Sequence, residues 1–330
     1  MAVKVELISV SAKIEEEQAP GKIIYLFPGQ GVQKVGMGKT LYESSEIARG
    51  ILDQLKTVKP ELLEFMLNGP RLDQPINLLD DTANAQPAIV AVSLAAYFAF
   101  FEANPSFKER QPLAFLGHST GQMSAIGAAG VVDIEIALPM AAKRGSLMKE
   151  VGQKKENKGG MLALLGATLE KAKSLCTNTS KALGEECIWV ANDNTVDQVV
   201  LSGRESHIVY AKAHAEEAGI KKAKILPVYI AAHCPLMKEA QDKFAQYLDP
   251  IKFKRPAFPI ILNTTAAVTL DPEEIREDLI NGLTTGVRFR EALQEVQRNG
   301  VTSFVEIGKG PLSDFAQKVI LDSRQFQITV

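Results

Sequence analysis

Cysteine and histidine are scarce in this chain of 330 residues, and each shortage excludes something. The three cysteines, Cys176, Cys187 and Cys234, are odd in number and widely spaced, and no CxxC pair exists. A disulfide framework is therefore excluded, and free thiols in a reducing cytoplasm are expected. No Cys/His set has the spacing of a metal site, so no metal is expected. Basic charge is not in surplus: 37 Lys+Arg face 39 Asp+Glu, for a formal net charge of -2. A nucleic-acid partner is not expected on that balance. The lysine clusters at 154–158 and 221–224 are short and read as solvated faces. No apolar run reaches the roughly 18 residues of a membrane span. The N-terminus has acids where a signal peptide needs an apolar centre, so neither membrane nor export is expected. Only four histidines exist, His118, His207, His214 and His233, so a general base has few candidates.

What is present is an ordinary globular composition, 46% apolar and 23% charged. Residues 1–21 read as an extension ending in the turn signal "QAPGK". "IIYLF" (23–27) and "PLAFLG" (112–117) read as short buried strands, and 86–103 as a long core helix. A helix is expected over 133–151. Texture changes at the polar linker "GQKKENKGG". Strand 161–166, helix 168–183, strands 187–193 and 198–203, helix 205–218 and strand 223–228 then follow in ferredoxin-like β-α-β-β-α-β order. Helix 235–247 and strands 259–265 and 303–308 resume the larger pattern. The expected fold class is α/β, with a mostly parallel sheet covered on both faces. The division predicted is 22–154 with 229–330 as the large domain and 155–228 as an inserted ferredoxin-like one.

"AFLGHSTGQMSA" (114–125) carries the chemistry. Gly117-His118-Ser119-Thr120-Gly121 matches G-x-S-x-G, a weak pattern alone. Its context, a strand before and a small-residue helix after, is that of a strained turn presenting a nucleophilic hydroxyl. The plain alternative is a glycine-rich turn with a capping serine. A serine nucleophile needs a base. His118 is adjacent and points away on such a turn, and His207 and His214 read as surface residues. His233, in "YIAAHCPLM" at the junction of the two units, is the best candidate, because clefts form at such junctions. "FPGQGVQKVGMGKT" (27–40) lacks the glycines of a phosphate loop at Gln33 and of a dinucleotide fingerprint at Lys34. It remains a backbone-rich turn whose N–H groups could complete an oxyanion hole.

Together these segments resemble the malonyl-CoA:acyl-carrier-protein transacylase family, over about 22–316. The matching motifs, in order, are "FPGQGVQKVGMG", "QPAIVAVSLA", "GHSTGQMSA", "KRGSLM", "HCPLM", "VRFREAL" and "EIGKGPL". The resemblance implies an α/β-hydrolase-like large domain and a two-step transfer with no permanently bound cofactor. Ser119, activated by His233, takes an acyl group from a CoA thioester and passes it to the phosphopantetheine thiol of a transiently bound acyl carrier protein. It implies main-chain N–H groups of Gln30 and Thr120 as the oxyanion hole and Arg144 as a bidentate partner for the malonyl carboxylate. Gln86, Met148, Asn192 and Ala232 would line the pocket, and Gly282 falls where a main-chain carbonyl orients the histidine. A free-standing monomer is expected.

Two departures open rival readings. Most relatives have glutamate where this chain has Gln122, which is expected at the acyl site and fits an acyl-carrier hydrolase branch at least as well as the transacylases. Ala232 stands where malonyl-selective synthase domains often have phenylalanine, leaving room for a longer or branched acyl group. A third reading, an inert carrier-binding scaffold, is opposed by the intact Ser119, His233 and Arg144 set.

Overall fold

The computed structural model describes residues 5–9, 22–70, 78–105, 112–301 and 303–329. Eleven strands are seen among them: β1 (Val5–Ser9), β2 (Ile23–Phe27), β3 (Ala114–Gly117), β4 (Gly159–Leu165), β5 (Ile188–Thr195), β6 (Gln198–Arg204), β7 (Lys222–Ile225), β8 (Ile260–Ile261), β9 (Val268–Thr269), β10 (Ser303–Ile307) and β11 (Arg324–Thr329). Seven form one sheet in the order β1-β11-β10-β2-β3-β8-β9, parallel throughout except for the β8–β9 pair. The other four form an antiparallel sheet in the order β5-β6-β4-β7, the ferredoxin-like order. The α/β class and its inserted second unit are as expected.

Alternation along the strands decides what each sheet face does. In β2, Ile23, Tyr25 and Phe27 enter one core, while Ile24 and Leu26 enter the core on the opposite face. Both faces are therefore apolar, as a parallel sheet covered by helices requires. In β4, Leu162 and Leu164 pack on the small sheet's own helices, whereas Met161 and Ala163 turn toward the large unit. That second face becomes a wall of the pocket described below. The two units are also tied by backbone: Asp193 N–H donates to Val287 O at 2.9 Å, and Val287 N–H to Ala191 O at 2.8 Å.

The helix Thr82–Ala103 is long and apolar enough for a membrane span, but 94% of that window is buried inside the protein. It is the central core helix, and it carries Tyr97 and Phe101 against Tyr25.

Three expectations change. Residues 5–9 are no mere extension: they form β1, paired in parallel with β11 from Val5–Gln325 to Ser9–Thr329. Neither β1 nor β11 is among the expected strands, and the rest of 1–21, with its turn signal, lies outside the described residues. The strand expected over 259–265 shrinks to β8, because the chain from Asn263 onward is turned into side-chain and main-chain bonds with its neighbours. His207 is buried, not superficial: the helix Glu205–Ala213 turns it inward with Ile208 and Ala211.

Candidate active site

The loops after β10, β2 and β3 leave adjacent parallel strands at their carboxyl ends, the end where open α/β sheets bind ligands. The segment after β3 turns at once into the helix Gly121–Ala128. Glycine is required on both sides of the turn. A Cβ on Gly117 would lie 2.2 Å from Gln122 N, and one on Gly121 would lie 2.0 Å from Phe27 O. Between them Ser119 adopts φ 52°, a left-handed conformation rare outside glycine. His233 is also left-handed, at φ 60°. Such strain clusters at functional sites.

Ser119 Oγ lies 2.7 Å from His233 Nε2. On its other side the imidazole Nδ1 lies 2.6 Å from Gly282 O. A carbonyl only accepts, so Nδ1 carries the proton and Nε2 is left to accept from the serine hydroxyl. Burial, and then the positive charge of Arg144, push the His233 pKa from 6.5 down to about 3. The ring is therefore neutral at physiological pH and ready to take a proton. His118 lines the same cavity but is turned from Ser119, with Nε2 2.8 Å from Asn194 Oδ1.

Arg144 is 4% exposed and lies on the helix Ile134–Gly152. Its guanidinium donates to Gln86 Oε1 at 2.8 Å and to Thr120 Oγ1 at 3.4 Å. Among the described residues no carboxylate pairs with it. Burial lowers its pKa from 12.5 to about 10, so it stays charged. From Arg144 the hydrogen bonds run on in one direction: Gln86 Nε2 donates to Thr82 Oγ1 at 2.9 Å, and Thr82 Oγ1 to Gln30 Oε1 at 2.8 Å. The loop after β2 is thus connected to the buried cation. Neither Gln30 N–H nor Thr120 N–H has a partner among the described residues.

A cavity of about 280 Å³ joins these groups. Gln30, Gln86, Ser119, Thr120, Arg144 and His233 all line it. Met148, Asn192 and Ala232 line it too, and Met161, Ala163 and Val200 of the small sheet close it with apolar surface. Of the ten site residues expected, Gln122 alone lies elsewhere. It is 2% exposed, and its amide is spent on Gly117 N–H, Ile261 O, Asp278 and Asn263 behind the turn. It points into the core and not at an acyl group, because the helix turns it back toward β3 and β8.

One mixed cluster, Glu185, Cys187 and His207, brings metal-ligating atoms within 4.8 Å of one another. Its carboxylate is already held by both oxygens on Arg204, at 2.6 and 2.7 Å, and His207 Nε2 faces Glu185 O at 3.2 Å. Those partners leave no open ligand set. Asn263 was missed from sequence. Its only signal was an amide at the end of an apolar run, and it turns out to bond the main chain of Ser119.

Fold and site together are those of an α/β protein that sets a serine hydroxyl against a buried histidine at the carboxyl end of its parallel sheet. Comparison with known proteins places it more closely. Residues 24–324 match the acyl transferase domain family, and the chain belongs to it. The malonyl CoA-acyl carrier protein transacylase of Bacillus subtilis (strain 168) is 37% identical over 302 residues, covering 90% of each chain. The protein of that name from Staphylococcus aureus (strain MRSA252) is 31% identical over 303 residues, 91% of this chain and 93% of that one. Among solved structures, the acyl carrier protein S-malonyltransferase of Vibrio cholerae superposes with a TM-score of 0.83 at 30% identity, covering 93% of this chain and 97% of that one. A type II PKS acyl-carrier protein in complex with its malonyl-transacylase gives 0.82 at 28% identity, over 94% and 96%.

Proposed function

We propose that this acyltransferase moves a malonyl-type group from a CoA thioester to the phosphopantetheine thiol of an acyl carrier protein, in the cytoplasm, with no permanently bound cofactor. Ser119 Oγ attacks the thioester carbonyl carbon while His233 Nε2 takes its proton. The negative charge that develops on the carbonyl oxygen is met by the free N–H groups of Gln30 and Thr120. The carbon–sulfur bond breaks, and His233 returns the proton to the departing CoA sulfur. The carrier thiol then gives its proton to His233 and attacks the acyl-serine, and the serine oxygen leaves with that proton. Arg144 holds the far carboxylate by two charge-assisted hydrogen bonds.

One observation carries the malonyl reading: a buried guanidinium, without a carboxylate partner among the described residues, opens on the same cavity as Ser119. A buried cation is costly unless something pairs with it, and an acyl chain ending in a carboxylate does so. The hydrolase reading rested on Gln122 and Ala232. Gln122 does not line the cavity, which leaves Ala232 as a determinant of acyl size. The carrier's approach is supported by Lys221, Lys222 and Lys224, exposed along the free edge β7 and running into the cavity wall at Leu226–Val228.

The test is intact mass. Malonyl-CoA should add one malonyl group to the protein, Ser119→Ala should abolish it, and holo-carrier should remove it as malonyl-carrier. Free acid released from acyl-carriers, with no malonyl adduct, would overturn the proposal.

A further inference from the structure

The strained turn at Ser119 is held from behind by one side chain. Ser119 N–H donates to Asn263 Oδ1 at 2.8 Å. Asn263 Nδ2 in turn donates to Gly117 O at 2.7 Å and Gln122 Oε1 at 3.1 Å. One amide thus spans the turn from the residue before it to the helix after it. Asn263 is 5% exposed and does not line the cavity, so this is not a substrate contact.

Asn263 is itself anchored. Its N–H donates to Asp278 Oδ2 at 3.0 Å, and its carbonyl accepts from Arg288 N at 2.8 Å. Asp278 is 4% exposed, and burial raises its pKa. Its other bonds come from Thr264 N–H at 2.8 Å, Thr264 Oγ1 at 2.7 Å and Gln122 Nε2 at 3.3 Å. All four are neutral donors. Asp278 lies on the helix Pro272–Asn281, and its own carbonyl accepts from Gly282 N–H at 2.8 Å. Gly282 is the residue whose carbonyl orients His233. The last turn of this helix therefore touches both reacting partners: the base through Gly282 O, the nucleophile through Asp278 and Asn263.

We infer that Asn263, seated on the buried Asp278 carboxylate, is a positioning residue: it fixes the left-handed turn of Ser119, consumes the Ser119 N–H, and so leaves the Thr120 N–H facing the cavity for the oxyanion. The inference rests on Ser119 being the nucleophile, but not on which acyl group it carries. Gln122 acquires a reason in the same network. Its amide can donate to Asp278 and accept from Gly117 and Asn263 at once, which a carboxylate cannot do. A glutamate there would set two carboxylates about as far apart as the 3.3 Å bond it replaces, and two such groups cannot both ionise.

Two readouts test it: single-turnover acylation by malonyl-CoA, and inactivation by a fluorophosphonate, which reports any serine nucleophile. Asn263→Ala should slow both by about 10²-fold, the loss expected of a nucleophile displaced by about an ångström. The KM for malonyl-CoA should change less than about threefold, since uniform binding is untouched. Gln122→Glu should stay active at low pH and lose activity as pH rises and the carboxyl pair loses its shared proton, whereas the parent protein does not. Adding Asp278→Asn to Gln122→Glu should abolish that loss of activity with rising pH, because only one carboxyl is left, although the rate can stay below the parent's for want of an acceptor. Rates for Asn263→Ala within threefold of the parent, or a loss confined to KM, overturn the inference. If Asn263→Ala fails to fold, the Gln122→Glu profile decides, and one indistinguishable from the parent overturns it. Should malonyl-CoA not acylate the parent protein, the acyl-transfer proposal falls, and the fluorophosphonate arm still judges Asn263.

Discussion

Replacing Arg144 with methionine separates substrate selection from chemistry. Removing one partner of a buried ion pair costs roughly 3–5 kcal/mol. At about 1.4 kcal/mol per decade, kcat/KM for malonyl-CoA should fall roughly 10²- to 10⁴-fold. Acetyl-CoA brings no carboxylate, so its slow acylation should hold or improve. The empty protein should respond in the opposite sense. An arginine whose pKa drops from 12.5 to about 10 on folding is charged at a penalty at every pH below about 10. At about 1.4 kcal/mol per pKa unit that penalty is on the order of 3 kcal/mol. Gln86 Oε1 loses its donor in the variant, which returns roughly 1 kcal/mol or more. Arg144→Met should therefore melt no lower than the parent, and up to a few degrees higher. Stopped-flow acylation with both thioesters, beside calorimetric melting, measures all three quantities. Equal losses for malonyl and acetyl groups would refute the carboxylate role, and a clear fall in Tm would refute the account of an unpaired buried cation.

Three other outcomes follow from the same geometry. With His233 lowered to about 3, acylation measured as kcat/KM should be flat from pH 8 to 5, and an acid limb near 6.5 would show that the ring is not desolvated. In Arg144→Met that limb should move upward, because the second cause of the depression is gone. Glu306, fully buried, has its pKa raised from 4.5 to about 6, so folding is favoured when it is protonated. Stability against urea should fall by about 2 kcal/mol between about pH 3.5 and 7.5 relative to Glu306→Gln, and a pH-independent difference would refute it. Reversing Lys221, Lys222 and Lys224 to glutamate should raise the carrier KM at least tenfold and leave acylation by malonyl-CoA unchanged; an unaltered carrier KM would remove β7 from the docking face.

The sequence made the candidate site legible because each part sits in a local pattern. Ser119 lies between two glycines that the backbone needs, and His233 is one of only four histidines. The ferredoxin-like order was readable from alternating elements. Relations across the chain were not readable. Gln122 looked like a site residue because it stands in the serine motif where most relatives have glutamate, yet Ser119 lies before the helix Gly121–Ala128 in a left-handed turn, so the two side chains need not share a face. Its partners Ile261, Asn263 and Asp278 are 139 to 156 residues away. His207 was placed at the surface from its charged neighbours, but helix phase buried it. β1 escaped because an edge strand of five residues has little length in which a period can show, and β11, which lies between β1 and β10, because buried Gln325 and Gln327 interrupt its apolar run.

The cavity wall and the base share one charge. Arg144 is both the expected anchor for the substrate's carboxylate and the second cause, after burial, of the low His233 pKa. Burial and the Arg144 charge keep the ring neutral but weakly basic. A carboxylate held by Arg144 would offset that charge, and His233 would then be a stronger base. A neutral acyl group leaves the cation uncompensated and the base weak. Selectivity of this kind acts on kcat as well as on binding, because proton transfer from Ser119 depends on the ring's basicity. Among the described residues no carboxylate bonds the histidine: with Gly282 O in that place, the ring is oriented without a negative charge.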